Sequence, residues 1–251
     1  MFLRYFIELS YHGKNYHGWQ IQPNEISVQE TIEKALSTLL KQPISVIGCG
    51  RTDSGVHARQ FFLHVDIEGD IDKEKLKFKL NSFLPEDIAI FQIVDVRDDA
   101  HARFDAVSRS YQYQVSLVKN VFENDLSLKI QENDLDIDKM NQAAQLMMDY
   151  SDFKCFSRSK TDVKTYQCSI SESVWIKEGN KLIYCVTANR FLRNMVRAIV
   201  GTLLEVGKHK MSLDQFRKVI ESRDRTMAGA SAKAKGLYLT HIQYPRRIFI
   251  K

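Results

Sequence analysis

The stretch Gly50-Arg51-Thr52-Asp53-Ser54-Gly55-Val56-His57-Ala58 places one carboxylate between an arginine and a glycine turn, with apolar strand sequence on either side. Val46-Ile47 lead in, and Arg59-Gln60-Phe61-Phe62-Leu63-His64-Val65-Asp66 lead out with the residue types of a strand. A polar loop pinned between two buried strands is a common location for chemistry, because the strands hold it while its side chains stay accessible. Gly50 and Gly55 permit backbone angles closed to other residues, so the loop can turn tightly and aim Asp53 outward. The alternative is an Asx-type turn in which Asp53 accepts hydrogen bonds from its own loop.

Outward from this loop the chain reads as two halves of similar element order. A strand over 3–11 precedes a helix over 27–40, whose Ser27 and Glu30 form a capping-box signature. Strands at 44–48 and 59–67, a helix at 72–83 and a strand at 88–96 complete a β-α-β-β-α-β unit. In the second half a strand over 103–118 alternates Tyr111, Tyr113, Val115 and Leu117 with polar residues. A helix at 138–149, strands at 167–177 and 181–188, helices at 191–206 and 212–222 and a strand at 237–244 follow. The expected fold is α+β: two ferredoxin-like halves, 1–100 and 101–251, joined into an extended, mainly antiparallel sheet with helices on one face and a central catalytic cleft. The first half carries the Asp53 loop. Segments 119–135 and 154–165 read as long loops, which in compact proteins are often functional.

At 251 residues the chain is long enough to bury a real core, and 44% hydrophobic with 27% charged residues is ordinary globular composition. No apolar run reaches membrane-span length, and Met1-Phe2-Leu3-Arg4-Tyr5-Phe6-Ile7-Glu8-Leu9 reads as a strand rather than a leader, so a cytoplasmic protein is expected. Cys49, Cys155, Cys168 and Cys185 show neither CxxC nor zinc-ligand spacing, which points to reduced structural thiols and no metal. The net charge of +5 is unevenly spread: residues 101–251 carry 25 Lys and Arg against 16 Asp and Glu, the first hundred 11 against 15. A basic second half suits a polyanionic partner such as nucleic acid, although charged faces are often merely solvated.

The run Phe191-Leu192-Arg193-Asn194-Met195-Val196-Arg197-Ala198-Ile199-Val200-Gly201-Thr202-Leu203-Leu204 is apolar nearly all round, as in a buried helix. Arg197 then needs an anionic partner, either Asp53 or a structural acid such as Glu205. Beside Asp53, its guanidinium would keep the carboxylate ionised and oriented. Arg190, Arg193 and Arg197 at helical spacing would line one side of a cleft. Basic residues interleaved with aromatics over Arg103-Phe104-Asp105-Ala106-Val107-Ser108-Arg109-Ser110-Tyr111-Gln112-Tyr113 suit packing and equally suit RNA bases stacking on rings.

The chain resembles the TruA-type tRNA pseudouridine synthases. The resemblance rests on the 50–58 loop, Phe104 with Ser110-Tyr111-Gln112-Tyr113, the 191–201 run, Asp224-Arg225-Thr226, and Ala232-Lys233-Ala234-Lys235-Gly236-Leu237-Tyr238-Leu239, in that order over nearly the whole chain. It implies an isomerase that converts uridine to pseudouridine at positions 38, 39 and 40 of the tRNA anticodon stem-loop, acting on a flipped-out base. Asp53 would be the catalytic aspartate, Arg197 its salt-bridge partner and Tyr111 the ring stacked on the uracil. Arg51 would push into the RNA stack, Leu237 would wall the base pocket, and Arg103 and His101 would contact the tRNA backbone. The family implies a homodimer with tRNA as its partner, no membrane association, and neither cofactor nor metal.

Two segments depart from the family pattern. Asn120-Val121-Phe122-Glu123-Asn124-Asp125-Leu126 lacks an aromatic pair, and Thr165-Tyr166-Gln167-Cys168-Ser169-Ile170 lacks an arginine. Both lie outside the catalytic set and bear on substrate range. A non-catalytic RNA binder would not need Asp53, Tyr111 and Arg197 together. A glycosyl hydrolase normally places two carboxylates about the bond, and no second acid accompanies Asp53 in its loop.

Overall fold

The computed structural model describes residues 2–131, 135–158 and 163–250, which divide into two compact units. One unit comprises the residues up to Val107 together with those from Leu239 onward; the other is Ser108–Tyr238. The architecture is mixed α+β with mainly antiparallel strand pairing and, among the described residues, five α-helices. None of these helices is long and apolar enough to cross a membrane.

The first unit runs β1 (Phe2–Tyr11), α1 (Val28–Leu40), β2 (Val46–Gly48), β3 (His57–Glu68), α2 (Lys73–Phe83), β4 (Ile88–Asp95). Its strands lie in the order β4-β1-β3, with β2 also on β3. β1 is central and antiparallel to both neighbours, and its Tyr5, Phe6, Ile7 and Leu9 are buried. α1 buries Val28, Ile32, Ala35 and Leu36, one stripe at helical spacing. Ser27 caps it by accepting the Glu30 N–H at 3.2 Å, and Lys41, at φ 56°, ends it in the left-handed region. Side chains of α1 fix β2: Gln29 donates to the Val46 carbonyl at 3.1 Å and Glu33 accepts the Val46 N–H at 2.8 Å. The strand entering the 50–57 loop is thereby tied to a helix as well as to β3.

The second unit runs β5 (Ser108–Ser116), β6 (Leu128–Lys129), α3 (Ile137–Leu146), β7 (Ile170–Glu178), β8 (Lys181–Ala188), α4 (Met195–Gly207), α5 (Leu213–Ser222) and the start of β9 (Leu237–Gln243). β8 pairs antiparallel with both β5 and β7. The short β6 was not anticipated in the 119–135 loop; it runs parallel to β5, Leu128 opposite Val115. α3 is tied to β7 by the Asn141 amide, which bonds the Trp175 N–H and carbonyl at 2.7 and 3.0 Å. α5 carries a complete capping box, Ser212 with Gln215. Residues 159–162 of the expected 154–165 loop lie outside the described residues.

Two expected boundaries move by four residues or more. The strand expected over 103–118 begins only at Ser108, because residues 101–105 close a turn. His101 accepts the N–H groups of Arg103 and Phe104 on Nδ1, at 3.1 and 3.3 Å, and the Asp105 carboxylate accepts the His101 N–H at 2.6 Å. These side-chain bonds outcompete strand pairing locally. The helix expected from 191 begins at Met195, since Asn194 sits at φ 66° and the Met195 N–H bonds back to Leu192. Arg190 and Arg193 therefore precede the helix, and the shared side with Arg197 argued from helical spacing does not exist.

The 101–105 turn is seated on β3. Ala102 donates its N–H to His64 Nδ1 at 3.1 Å, and Arg4 forks onto Asp66 at 2.7 Å while reaching the Ala100 carbonyl. Burial first, then Arg4 and His101, push the His64 imidazole down to about 4. The unfolded chain, with an ordinary histidine near 6.5, takes up that proton more readily. The stabilisation is thus present above pH 6.5 and is lost as pH falls toward 4, about 3 kcal/mol over the window. Chemical denaturation at pH 7 and pH 5 should show a steep loss of stability that H64Q flattens; equal slopes for both proteins would contradict this account.

Candidate active site

The polar loop between β2 and β3 is built against a second loop, residues 12–19, that the sequence reading passed over. The Cys49 N–H pairs with the Phe62 carbonyl at 2.8 Å, closing the strand pair, and the Val56 N–H returns to the Asp53 carbonyl at 3.1 Å. The chain between them forms a tight turn with Asp53 half-buried and Arg51 exposed. Gly55 sits at φ 76°, as expected of a glycine turn. Gly50 departs from expectation: its φ is not positive, and a β-carbon there would meet nothing within 4 Å.

The 12–19 segment grips this turn residue by residue. The Tyr16 carbonyl accepts the Gly55 N–H at 3.3 Å and the Ser54 hydroxyl at 3.4 Å. The Thr52 and Tyr11 hydroxyls are 2.9 Å apart, and the Gly13 N–H donates to His57 Nδ1 at 3.0 Å. Two glycines make the approach possible. A β-carbon at Gly13 would lie 2.0 Å from the Val56 carbonyl oxygen, and one at Gly18, at φ 88°, 2.2 Å from that of Thr52. Trp19 then wedges beneath β2 and β3, stacked on Phe61 at 4.1 Å and so close to Gly48 that no side chain fits there. The first N–H groups of α1, on Val28 and Gln29, cap the carbonyls of Gly18 and Trp19. The sequence signal for all this was His12-Gly13-Lys14-Asn15-Tyr16-His17-Gly18-Trp19: two glycines bracketing polar and aromatic residues directly after a strand.

His101 and Arg103 belong to the same unit but not to this loop. Their turn sits against His64, seven strand residues along β3 from His57, or about 20 Å at strand rise. Arg103 is exposed, its guanidinium 5.5 Å from the Phe104 ring, which is 73% exposed. His101 spends Nδ1 on holding the turn, and burial together with Arg4 lowers its pKa.

The second unit holds Tyr111, Arg197 and Leu237. Tyr111 lies on β5 opposite Val186, half-buried, with the Phe191 ring edge-on at 5.0 Å. Phe191 thus sets the tilt of the Tyr111 ring, a role the sequence reading had not assigned. Arg197 emerges from the first turns of α4, half-buried, and its Nε donates to the Ala232 carbonyl at 2.7 Å while the Ala232 N–H returns to the Arg197 carbonyl at 2.9 Å. Segment 224–232 lies along α4 so closely that a β-carbon at Gly201 would stand 1.8 Å from the Ala230 carbonyl oxygen. Arg225 braces that segment through the carbonyls of Ala228 and Gly229 and the Ser231 hydroxyl. Leu237 is buried at the start of β9, just past Gly236, where any side chain would strike Tyr113 and the Gln114 carbonyl. The Tyr113 hydroxyl donates to the Lys233 carbonyl at 2.8 Å, which anchors the approach to Leu237. The four cysteines are free, and burial pushes the Cys155 and Cys168 thiols up to about 12 and about 11, as in inert structural thiols.

The family model described as tRNA pseudouridine synthase matches residues 9–105 and 143–245. The tRNA pseudouridine synthase A of Bacteroides fragilis is 51% identical over 98% of both chains, and that of Parabacteroides distasonis 49% identical over 98% of both. The tRNA pseudouridine synthase A of Francisella tularensis is 37% identical over 98% of this chain and 95% of its own. Among solved structures, an aminoacylhistidine dipeptidase from Vibrio alginolyticus overlaps 93% of this chain and 41% of its own, at 12% identity and a TM-score of 0.25. That likeness is too slight to bear on the fold. The chain belongs to the tRNA pseudouridine synthase family, isomerases that turn uridine into pseudouridine in tRNA.

The close approach at Gly201 makes a stability prediction. G201A forces helix and strap apart and should cost about 1–3 kcal/mol in urea denaturation, whereas G50A, in open space, should be silent. Equal stabilities for the two variants would mean that the strap does not pack as described.

Proposed function

We propose that this chain isomerises uridines 38, 39 and 40 of the tRNA anticodon stem-loop, with Asp53 as the reacting carboxylate. The reaction breaks the N1–C1′ bond, turns the uracil and joins C5 to C1′, with the C5 proton released and one taken up at N1. Nothing is consumed. The base must leave its stack before C5 and the glycosidic bond can be reached, an unstacking that costs a few kcal/mol. Arg51, exposed on the same turn, fills the place the uridine vacates. The Tyr111 ring stacks on the everted uracil, Leu237 closes the pocket with an apolar wall, and Arg197 serves Asp53 as counter-ion. Arg103, on the turn that His101 holds shut, meets the phosphate backbone.

The observation that carries this reading is the setting of Asp53. It is the one acid of a turn whose flanking residues are bonded or packed at 52, 54, 55 and 56, in a chain matching the family over nearly its full length. Fixed backbone around a half-buried carboxylate is the preorganisation that nucleophilic or proton-transfer chemistry needs. In the same reading the enzyme is a cytoplasmic homodimer. Residues 1–100 and 101–251 form two ferredoxin-like halves, the first bearing the Asp53 loop and the second, basic half completing the active site and the RNA cleft. The β-α-β-β-α-β order of the first unit, with β1 between β4 and β3 and β2 paired to β3, supports that description of the first half.

Two measurements test it. D53N should abolish pseudouridine formation while leaving tRNA affinity within about twofold, since the change removes no basic residue; turnover by D53N would remove the assignment. Affinity for tRNA should fall steeply with added salt as phosphate contacts release counter-ions. A flat salt response would argue against a phosphate-reading surface.

A further inference from the structure

The loop that grips the Asp53 turn is itself held from one place. Asp87, in the connection between α2 and β4, takes the Tyr16 hydroxyl on one carboxylate oxygen at 2.5 Å and the Asn15 side-chain amide on the other at 3.1 Å. Its main-chain carbonyl accepts the His12 N–H at 2.8 Å. Three bonds from one residue thus fix 12–16, and 12–16 meets the turn through Gly13 and through the Tyr16 carbonyl that receives Gly55 and Ser54. The Tyr16 ring is buried, and burial, reinforced by Asp87, raises its phenol pKa, so the hydroxyl remains a proton donor across the working range.

We propose that Tyr16 and Asp87 are a positioning pair: the phenol–carboxylate bond sets the Tyr16 carbonyl, and that carbonyl sets the backbone on the C-terminal side of Asp53. The assignment rests on Asp53 being the reacting carboxylate. Neither residue touches substrate in it; both act through the turn. The ring of Tyr16 supplies the packing and the hydroxyl supplies the register. The two contributions can therefore be separated, because Phe keeps the first and loses only the second. A reacting group displaced by a fraction of an ångström loses rate more than binding, since binding is spread over a wide phosphate-reading surface.

The test compares Y16F, D87A, D87N and Y16F/D87A with the parent and with D53N, each folded full-length protein assayed on tRNA transcript below its melting midpoint. Y16F and D87A should lower kcat on the order of 10- to 100-fold with KM within about twofold. D87N should recover most of that loss, because its amide oxygen still accepts the Tyr16 hydroxyl. The double variant should be no slower than the slower single one, as for two halves of one interaction. A residue needed only for folding would move the melting midpoint and the active fraction, and D87N would not restore kcat selectively. Parental kcat in Y16F and D87A alongside a dead D53N overturns the pair while leaving Asp53 in place. An active D53N overturns both.

Discussion

Two backbones meet where a β-carbon on Gly18 would stand 2.2 Å from the Thr52 carbonyl oxygen and one on Gly13 would stand 2.0 Å from that of Val56. Contact of this kind leaves the 50–57 turn few alternative conformations. Each shift of the turn must carry 12–19 with it, and 12–19 is fastened to the start of α1, to Asp87 and, through Trp19, to the core beneath β2 and β3. The interior is densely packed and yields little, so the rigidity of the core passes to the turn. A surface loop thereby acquires the precision that is otherwise found on strands and helices.

The second unit uses the same device with different parts. Gly201 admits the 224–232 strap against α4, Gly236 admits the approach to β9 against Tyr113, and Arg225 ties the strap to itself. Arg197 and Leu237 are thus held by main-chain contacts, and Tyr111 by strand pairing and the Phe191 ring. Each side chain to which the proposed chemistry assigns a role sits on backbone fixed by its neighbours. The proposed chemistry, an everted base held against one carboxylate, calls for such fixity, because a small displacement of the reacting group costs rate.

Much of this was legible in the sequence, for physical reasons. Ser27 marked a helix start because a side-chain oxygen there satisfies an otherwise orphaned N–H, and the structure shows Asp72, Asp136 and Ser212 doing the same for α2, α3 and α5. The strands around the 50–58 loop showed in their runs of β-branched and aromatic residues. The boundaries at 101–108 and 191–195 were hidden, since they depend on the His101 and Asp105 side chains and on a left-handed Asn194, which propensity does not reveal. The 12–19 loop escaped notice because its meaning lies in what it touches: Gly13, Tyr16 and Gly18 look like any polar turn until 52–56 is packed against them. Asp53 stood out through its setting in one motif; the hold of Asp87, some thirty-odd residues further on, on the loop that packs against its turn had no local signature.

Whether, and where, a uridine is rearranged tests the proposed chemistry most directly. Unmodified tRNA carrying uridines at 38, 39 and 40 is incubated with the purified protein, treated with carbodiimide and read by primer extension. Stops confined to those positions, absent from the parallel D53N reaction, are the result the proposed function predicts. Stops that persist with D53N, or an unmarked anticodon stem-loop after prolonged incubation, would contradict it.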